Sequence, residues 1–188
     1  MRRAFGTALP TDEELAVSKE TLEFDRTLAV FDGRQVVGTA GIFTYQMAVP
    51  GGSLPCAGVT RVGVAATHRR RGLLTAMMRR QMDDIHQRGE ALAALYASEA
   101  AIYGRFGYGL STYMAEIDIQ RSHGAFADPP RGSGRMVMVD VATAVDIFSR
   151  VWSEVQPAQP GMLALDARWW RNLLADLEFN RQGFSPQY

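Results

Sequence analysis

Three consecutive arginines, Arg69-Arg70-Arg71, run into a lone glycine, Gly72, and then into LLTAMMRR, which reads as helix. The first N–H groups of a helix have no partner inside it, and together with the helix dipole they attract an anion. Gly72 has no side chain, so a phosphate can approach the backbone closely. The arginines would add charge around it. Three readings stay open on local chemistry: a phosphate seat, a solvated basic helix start, and a nucleic-acid patch extended by Arg79 and Arg80. The chain has neither a GxxxxGKS/T nor a GxGxxG pattern, so this is not one of the common nucleotide loops. It also has no second basic cluster of this size and no aromatic platform beside this one, which counts against nucleic acid.

A second group with chemical capacity is Tyr103, in IYGRFGYG. A phenol, with a pKa near 10, can hand a proton to a leaving thiolate; an aromatic ring can equally be packing. Tyr108 competes with it, while Phe106 and Tyr108 read as packing around the glycine turns. Cys56 is the only cysteine, so no disulfide within the chain and no cysteine-based zinc site is expected. It reads as a small core residue. His68, His86 and His123 show neither metal-ligand spacing nor a nucleophile–acid pattern. His86 falls on the partly exposed side of a helix, and His68 reads as a residue that steadies a turn. No metal is expected.

The 188 residues balance 20 Lys+Arg against 20 Asp+Glu, and 47% are hydrophobic. That is one domain of ordinary core content, with room for an incomplete second. A neutral chain carries no bulk attraction to nucleic acid or to membranes, so neither is expected as a partner. Met1-Arg2-Arg3 resembles the charged start of an export signal, but no long apolar run follows it. No stretch approaches ~18 apolar residues. A cytoplasmic protein is expected.

The elements that must position these residues read as follows. Thr11 caps a helix to about Glu23, with Glu14 completing a capping box. RTLAVFD, then DG, then RQVVGTAGIFTYQMAV reads as a hairpin. After Pro50-Gly51-Gly52 a strand runs through GVTRVGVAA. Simple alternation would put Thr60, Val62 and Val64 on one face, with Val59, Arg61, Gly63 and Ala65 on the other. The helix after Gly72 buries Leu73, Leu74, Met77, Met78, Met82 and Ile85, exposes Arg79, Arg80, Asp83, Asp84 and Gln87, and ends at Gly89. ALAALYA, residues 91–97, is a short strand parallel to the one before the helix. Ser98 caps a short helix through about Phe106, ended by Gly107. TYMAEIDIQ, from Thr112, alternates like a strand. Asp140 caps a helix over about 141–154, and Asp166 opens a last one carrying Trp169, Trp170, Leu173, Leu174 and Leu177. With no strand in view to cover that last helix, the tail is expected to pack on a partner chain or to be poorly ordered.

Arg69-Arg70-Arg71-Gly72 fits the first four positions of the acetyl-CoA pyrophosphate motif of the GCN5-related N-acetyltransferases (GNAT): Gln/Arg, two variable residues, Gly, one variable, Gly/Ala. Leu74 departs from the final small residue. VAATHRRRGLL together with ASEAAIYGRFGYG resembles the enhanced-intracellular-survival (Eis-like) branch over about residues 58–110, with looser similarity in element order elsewhere. The resemblance implies an α/β GNAT acyl-CoA N-acyltransferase fold: a mixed, mostly antiparallel sheet with a splayed parallel strand pair, flanked by helices. It implies a GNAT domain over 1–135 and the start of a second, incomplete GNAT-like module over 136–188.

It also implies a site. Val62, Gly63 and Val64 match the strand whose backbone bonds the pantetheine arm, a role open to any exposed strand edge. The pyrophosphate amides fall on Arg70, Arg71, Gly72, Leu73, Leu74 and Thr75. A further cofactor contact falls on Ser98 and Glu99, and Tyr103 matches the general acid. The implied function is transfer of acetyl from acetyl-CoA to a primary amine, on an aminoglycoside-like small molecule or a lysine side chain, by direct attack. The alternative is an acetyl-CoA-binding or regulatory domain without turnover. In the family the base is the C-terminal carboxylate of a considerably longer chain, so that role is not carried over to Tyr188. A homo-oligomer is implied for the full-length family form.

Overall fold

The computed structural model describes residues 9–181, apart from 114, 116, 129–131 and 133. Met1-Arg2-Arg3 and Tyr188 lie outside the described residues.

Thr11 opens α1 (Asp12–Thr21) through a complete capping box: its hydroxyl accepts from the Glu14 N–H at 3.2 Å, and the Glu14 carboxylate accepts from the Thr11 N–H at 2.7 Å. Strands β1 (Thr27–Asp32) and β2 (Gln35–Val49) form the expected antiparallel hairpin. Gly33 alone of its two turn residues takes a positive φ, +56°. The turn from β2 into β3 (Gly52–Val64) places Pro50 and then Gly51, at φ +88°, in the two central positions. Fixed φ followed by positive φ is the demand of a type II turn. Helix α2 (Leu73–Gln87) crosses to β4 (Leu92–Leu95), which pairs parallel to β3. The sheet order β1-β2-β3-β4 is therefore mixed, with two antiparallel pairings and one parallel.

Alternate residues of β2 serve opposite faces. On one face Ile42 joins Gln81 and Asp84 of α2 around a small pocket, and Met77 reaches the Gly38 backbone. On the other face Phe43 and Tyr45 meet Trp169, with ring centroids 4.8 and 5.2 Å away. Trp169 belongs to α4 (Ala167–Leu174), which follows α3 (Val141–Val155). Asp140 and Asp166 cap these two helices, as expected. Among the described residues the last helix thus packs on its own chain. Residues 161–164 add a short stretch to β2, with Ala48 N–H donating to Met162 O and Ala164 N–H to Gln46 O. Asn172 and Arg171 of α4 bond Val17 and Glu20 of α1. Sequence periodicity shows that α4 needs cover, but not that the upper half of β2, beyond the reach of β1, offers it.

One buried charge has no periodic signal. The side chain of Arg26, just ahead of β1, is 0% exposed and pairs with that of Glu90, 4% exposed, two residues before β4. It also donates to Asp84 at 3.1 Å and to the Thr44 hydroxyl at 2.7 Å. Asp84, assigned by periodicity to the solvent face, is drawn into this cluster. Burial alone would raise its pKa, but hydrogen bonds from Arg88 and Arg26 outweigh that and hold the carboxyl below its ordinary range. Gln81 is a second buried polar side chain of α2: it is 1% exposed, and its side-chain amide donates to Gly41 O at 2.9 Å.

The chain divides into two compact units: one holds the residues up to Ser98 together with those from Asp140 on, the other Glu99–Val139. The expected boundary at 135/136 falls near the second junction, but the helices beyond it close on the first unit. In the Glu99–Val139 unit the expected single helix is two short 3₁₀ turns, Ala100–Ile102 and Gly104–Phe106, ended as expected by Gly107 at φ +91°. Glu99, not Ser98, occupies the cap position, and no side chain caps the turn. The described residues of the expected strand from Thr112 are not in a strand. Tyr113, Ile117 and Ile119 are 85%, 79% and 63% exposed; alternation alone does not make a strand where no ladder partner and no covered face are present.

Gly58 lies in β3 directly against the Tyr45 ring: a Cβ there would meet ring carbons at 2.4 and 2.7 Å. The Tyr45 ring is itself in contact with Trp169, centroids 5.2 Å apart. Gly58→Ala should cost about 1–3 kcal/mol, read as a lower denaturant midpoint with unchanged slope. Gly52→Ala, with nothing within 4 Å, is the control and should change stability by less than about 0.5 kcal/mol. The depressed Asp84 pKa contributes stability that is present above the unfolded-state value of about 3.9 and is lost as pH falls through the folded value. Asp84→Asn should therefore lower the melting temperature near neutrality and flatten its fall on acidification below about pH 4.

Candidate active site

β3 and β4 pair from Cys56–Leu92 to Val59–Leu95 and no further. β4 ends there, while β3 continues to Val64. Val62, Gly63 and Val64 therefore have β2 on one side and no strand on the other among the described residues. A bulge accompanies the parting. Thr39 pairs with Gly63 and Gly41 with Thr60, so Arg61 and Val62 together stand opposite Ala40. Arg61 takes φ +53°. An extra residue bends a strand and breaks its ladder, so the simple alternation expected for residues 59–65 does not hold. The only hint in the sequence is Gly63 inside a strand pattern; nothing local marks Arg61.

Beyond Val64 the chain makes a 3₁₀ turn, Ala66–His68, and then the arginine turn. Arg70 and Gly72 both take positive φ, +61° and +79°. No side chain caps α2, and its first backbone bond runs from Ala76 N–H to Gly72 O at 3.0 Å. The N–H groups of Leu73, Leu74 and Thr75 thus have no acceptor among the described residues. A Cβ built on Gly72 would meet nothing within 4 Å, so space is open at the residue that precedes them. The side chains of Arg69, Arg70 and Arg71 are exposed and make no ion pair among the described residues. Free amides, a helix dipole, unpaired cations and open space are the requirements of an anion seat.

The first unit therefore carries Val62, Gly63, Val64, Arg70, Arg71, Gly72, Leu73, Leu74, Thr75 and Ser98; Glu99 and Tyr103 belong to the second. Ser98 is exposed, and its hydroxyl, not used as a cap, makes no hydrogen bond among the described residues. Tyr103 is half-buried, with its ring 6.0 Å from that of Tyr108 in an edge-on arrangement. Its carbonyl accepts from the N–H groups of Phe106 and Tyr108. Burial, and then the charge of Glu99, raise the Tyr103 pKa above its ordinary value. The phenol therefore holds its proton through neutral pH and can serve as an acid. Cys56 is fully buried; burial and then the Glu90 charge push its thiol up, which suits a core residue rather than a nucleophile. Among the described residues no group of three or more His, Cys, Asp or Glu could hold a metal ion, and no helix is long and apolar enough to cross a membrane.

The model of the acetyltransferase (GNAT) domain family matches residues 1–111. The chain belongs to the GNAT acetyltransferase family. An uncharacterized N-acetyltransferase of Streptomyces avermitilis is 47% identical over 186 residues, 98% of this chain and 46% of the relative. The N-acetyltransferase Eis of Mycobacterium bovis is 38% identical, over 92% of this chain and 42% of that protein. The crystal structure of Eis1 from Mycobacterium abscessus superposes with a TM-score of 0.74 at 38% identity, covering 93% of this chain and 44% of that one. The two Eis relatives support the Eis-like branch. This GNAT chain spans just under half the length of these relatives, and the parted strands and uncapped helix fall within the part that the family model matches.

Proposed function

We propose that this GNAT chain carries the donor site of an N-acetyltransferase that moves acetyl from acetyl-CoA to a primary amine. The observation that carries the reading is the open edge of β3 at Val62–Val64, which leads through the 3₁₀ turn and the arginine turn to the uncapped start of α2. An extended amide-bearing arm can add to that edge as a further strand, and a pyrophosphate suits the amides of Arg70–Thr75. Ser98 and Glu99, just past the end of β4, would make a further contact. Bound acetyl-CoA supplies an activated thioester. The amine nitrogen forms a bond to the acetyl carbon, the carbon–sulfur bond breaks, and the Tyr103 hydroxyl gives its proton to the departing thiolate. The amine proton passes to a base, directly or through water.

The resemblance to Eis supports an aminoglycoside-like amine or a lysine side chain as acceptor, a cytoplasmic location, and a homo-oligomer of the longer family form. In this reading residues 136–188 open a second GNAT-like module, in keeping with the greater length of the relatives.

Acetyl-CoA at about 100 times its Kd should raise the melting temperature by about 5–10 °C, since it stabilises the state that binds it. Gly72→Asp places a carboxylate where the phosphate would sit and should abolish the rise. A folded Gly72→Asp protein that binds acetyl-CoA like the wild type would remove the phosphate seat. Binding without thiol release across a panel of amines would leave a cofactor-binding domain instead of an enzyme.

Tyr103→Phe removes one hydroxyl and keeps the ring. It should lower kcat about 10²–10⁴-fold with little change in KM, whereas Tyr108→Phe should stay within a few-fold. Because the Tyr103 pKa is raised, the protonated acid persists with rising pH. Loss of kcat from its ionisation should begin only above about pH 10. A near-normal kcat in Tyr103→Phe, with chemistry rate-limiting, would assign that ring to packing.

A further inference from the structure

Three side chains form a hydrogen-bonded series at the foot of the arginine turn. The His68 ring lies between Asp32 and Thr67: Nε2 is 3.0 Å from the Asp32 carboxylate, and Nδ1 is 2.8 Å from the Thr67 hydroxyl. Asp32 ends β1, so the link joins the tip of the β1–β2 hairpin to the loop that leads into α2. The His68 side chain is 14% exposed, against 68% for Asp32. A carboxylate only accepts, which fixes a proton on Nε2; Nδ1 of the neutral ring then accepts from the Thr67 O–H. A protonated ring would donate from Nδ1 instead, and the hydroxyl can take either part. The link therefore survives a change of charge on the imidazole.

The main chain of His68 is also held, its N–H donating to Ala65 O at 2.8 Å. Immediately afterwards the anchors stop. The side chains of Arg69, Arg70 and Arg71 make no hydrogen bond or ion pair among the described residues, and the chain turns through two left-handed residues before the uncapped helix begins. His68 is the last tethered residue before the proposed anion seat.

We propose that His68 is a positioning residue: its bond to Asp32 fixes the arginine turn against the hairpin tip, so that the amides beyond it are set before the anion arrives. A seat ordered in advance avoids an ordering cost on binding. The effect on affinity rests on the acetyl-CoA reading above; the effect on the turn does not.

The test compares wild type with His68→Ala, Asp32→Ala, the double variant, and His68→Gln, whose amide nitrogen can replace Nε2 as donor to Asp32. Two readouts are needed: acetyl-CoA affinity by calorimetry, and hydrogen exchange of the ligand-free protein across residues 66–80. Each alanine variant should weaken acetyl-CoA about tenfold, as loss of a hydrogen bond to a charged group does. The double variant should be no worse than either single one. Exchange should quicken in the turn and first helical turn only, and His68→Gln should restore both readouts. In turnover the loss should appear in KM for acetyl-CoA and not in kcat, a split that general destabilisation would not give. Unchanged affinity and exchange in both alanine variants would overturn the proposal, as would a His68→Gln protein no better than His68→Ala. Should His68→Ala fail to fold, the exposed Asp32→Ala decides alone. A wild type that binds no acetyl-CoA would sink the cofactor reading, and exchange at the turn would then decide this inference by itself.

Discussion

The parting of β3 from β4 after Val59 and Leu95 is the constraint on which the rest of the site depends. A parallel pair that kept its ladder to the end of β3 would spend the backbone groups of Val62–Val64 on a neighbour. Ending β4 at Leu95 leaves that edge open, and the Arg61–Val62 bulge redirects the strand just where its partner is lost. The arginine turn begins only a few residues later, so strand edge and helix start lie on one continuous stretch of chain. Their adjacency needs no long-range contact, although the conformation of each does.

An opening at one end of a strand pair needs closure at the other. Arg26 provides it. Its guanidinium reaches Glu90, two residues before β4, Asp84 in the last turns of α2, and Thr44 on β2. Burying an arginine is costly unless its donors are met, and here a carboxylate on each of two elements and a hydroxyl on a third meet them. Glu23 continues the cluster by accepting from both the N–H and the hydroxyl of Thr44. Helix, central strand and parallel strand are thereby fixed together at the end of the sheet away from the bulge.

The two faces of β2 divide the remaining packing. Small residues on the α2 face, Gly38 and Ala40, let the helix come close, so that Met77 and Met78 are almost fully buried and even Gln81 must find its partner in a main-chain carbonyl. The aromatic face is held by a tail helix more than a hundred residues away in sequence. Gly58, Tyr45 and Trp169 form one stack: a glycine makes room for a ring, and the ring is held by an indole. This explains why the last helix belongs physically to the first unit although it follows the second in the chain.

Much of this is written locally. The capping box at Thr11, the caps at Asp140 and Asp166, the Pro50-Gly51 turn, the methionine stripe of α2 and the lone Gly72 are each decided by residues within one or two turns, because capping, turn geometry and helical periodicity are short-range effects. They sufficed to place the helix starts and the strand–helix–strand unit, and they point to the proposed anion seat. Decisions that depend on a partner distant in sequence were not legible. The described residues of the alternating stretch 112–120 are not in a strand, because a strand needs a neighbour. Ser98 lost the cap position to Glu99, because the segment forms 3₁₀ turns instead of a longer helix. The bulge at Arg61, the burial of Arg26 and Gln81, the cover over Trp169 and the His68–Asp32 link all join residues tens of positions apart. Residue types and spacing determined which groups could bind an anion or give up a proton; only the tertiary structure decided which backbone edge stayed open, since that depends on where a neighbouring strand stops.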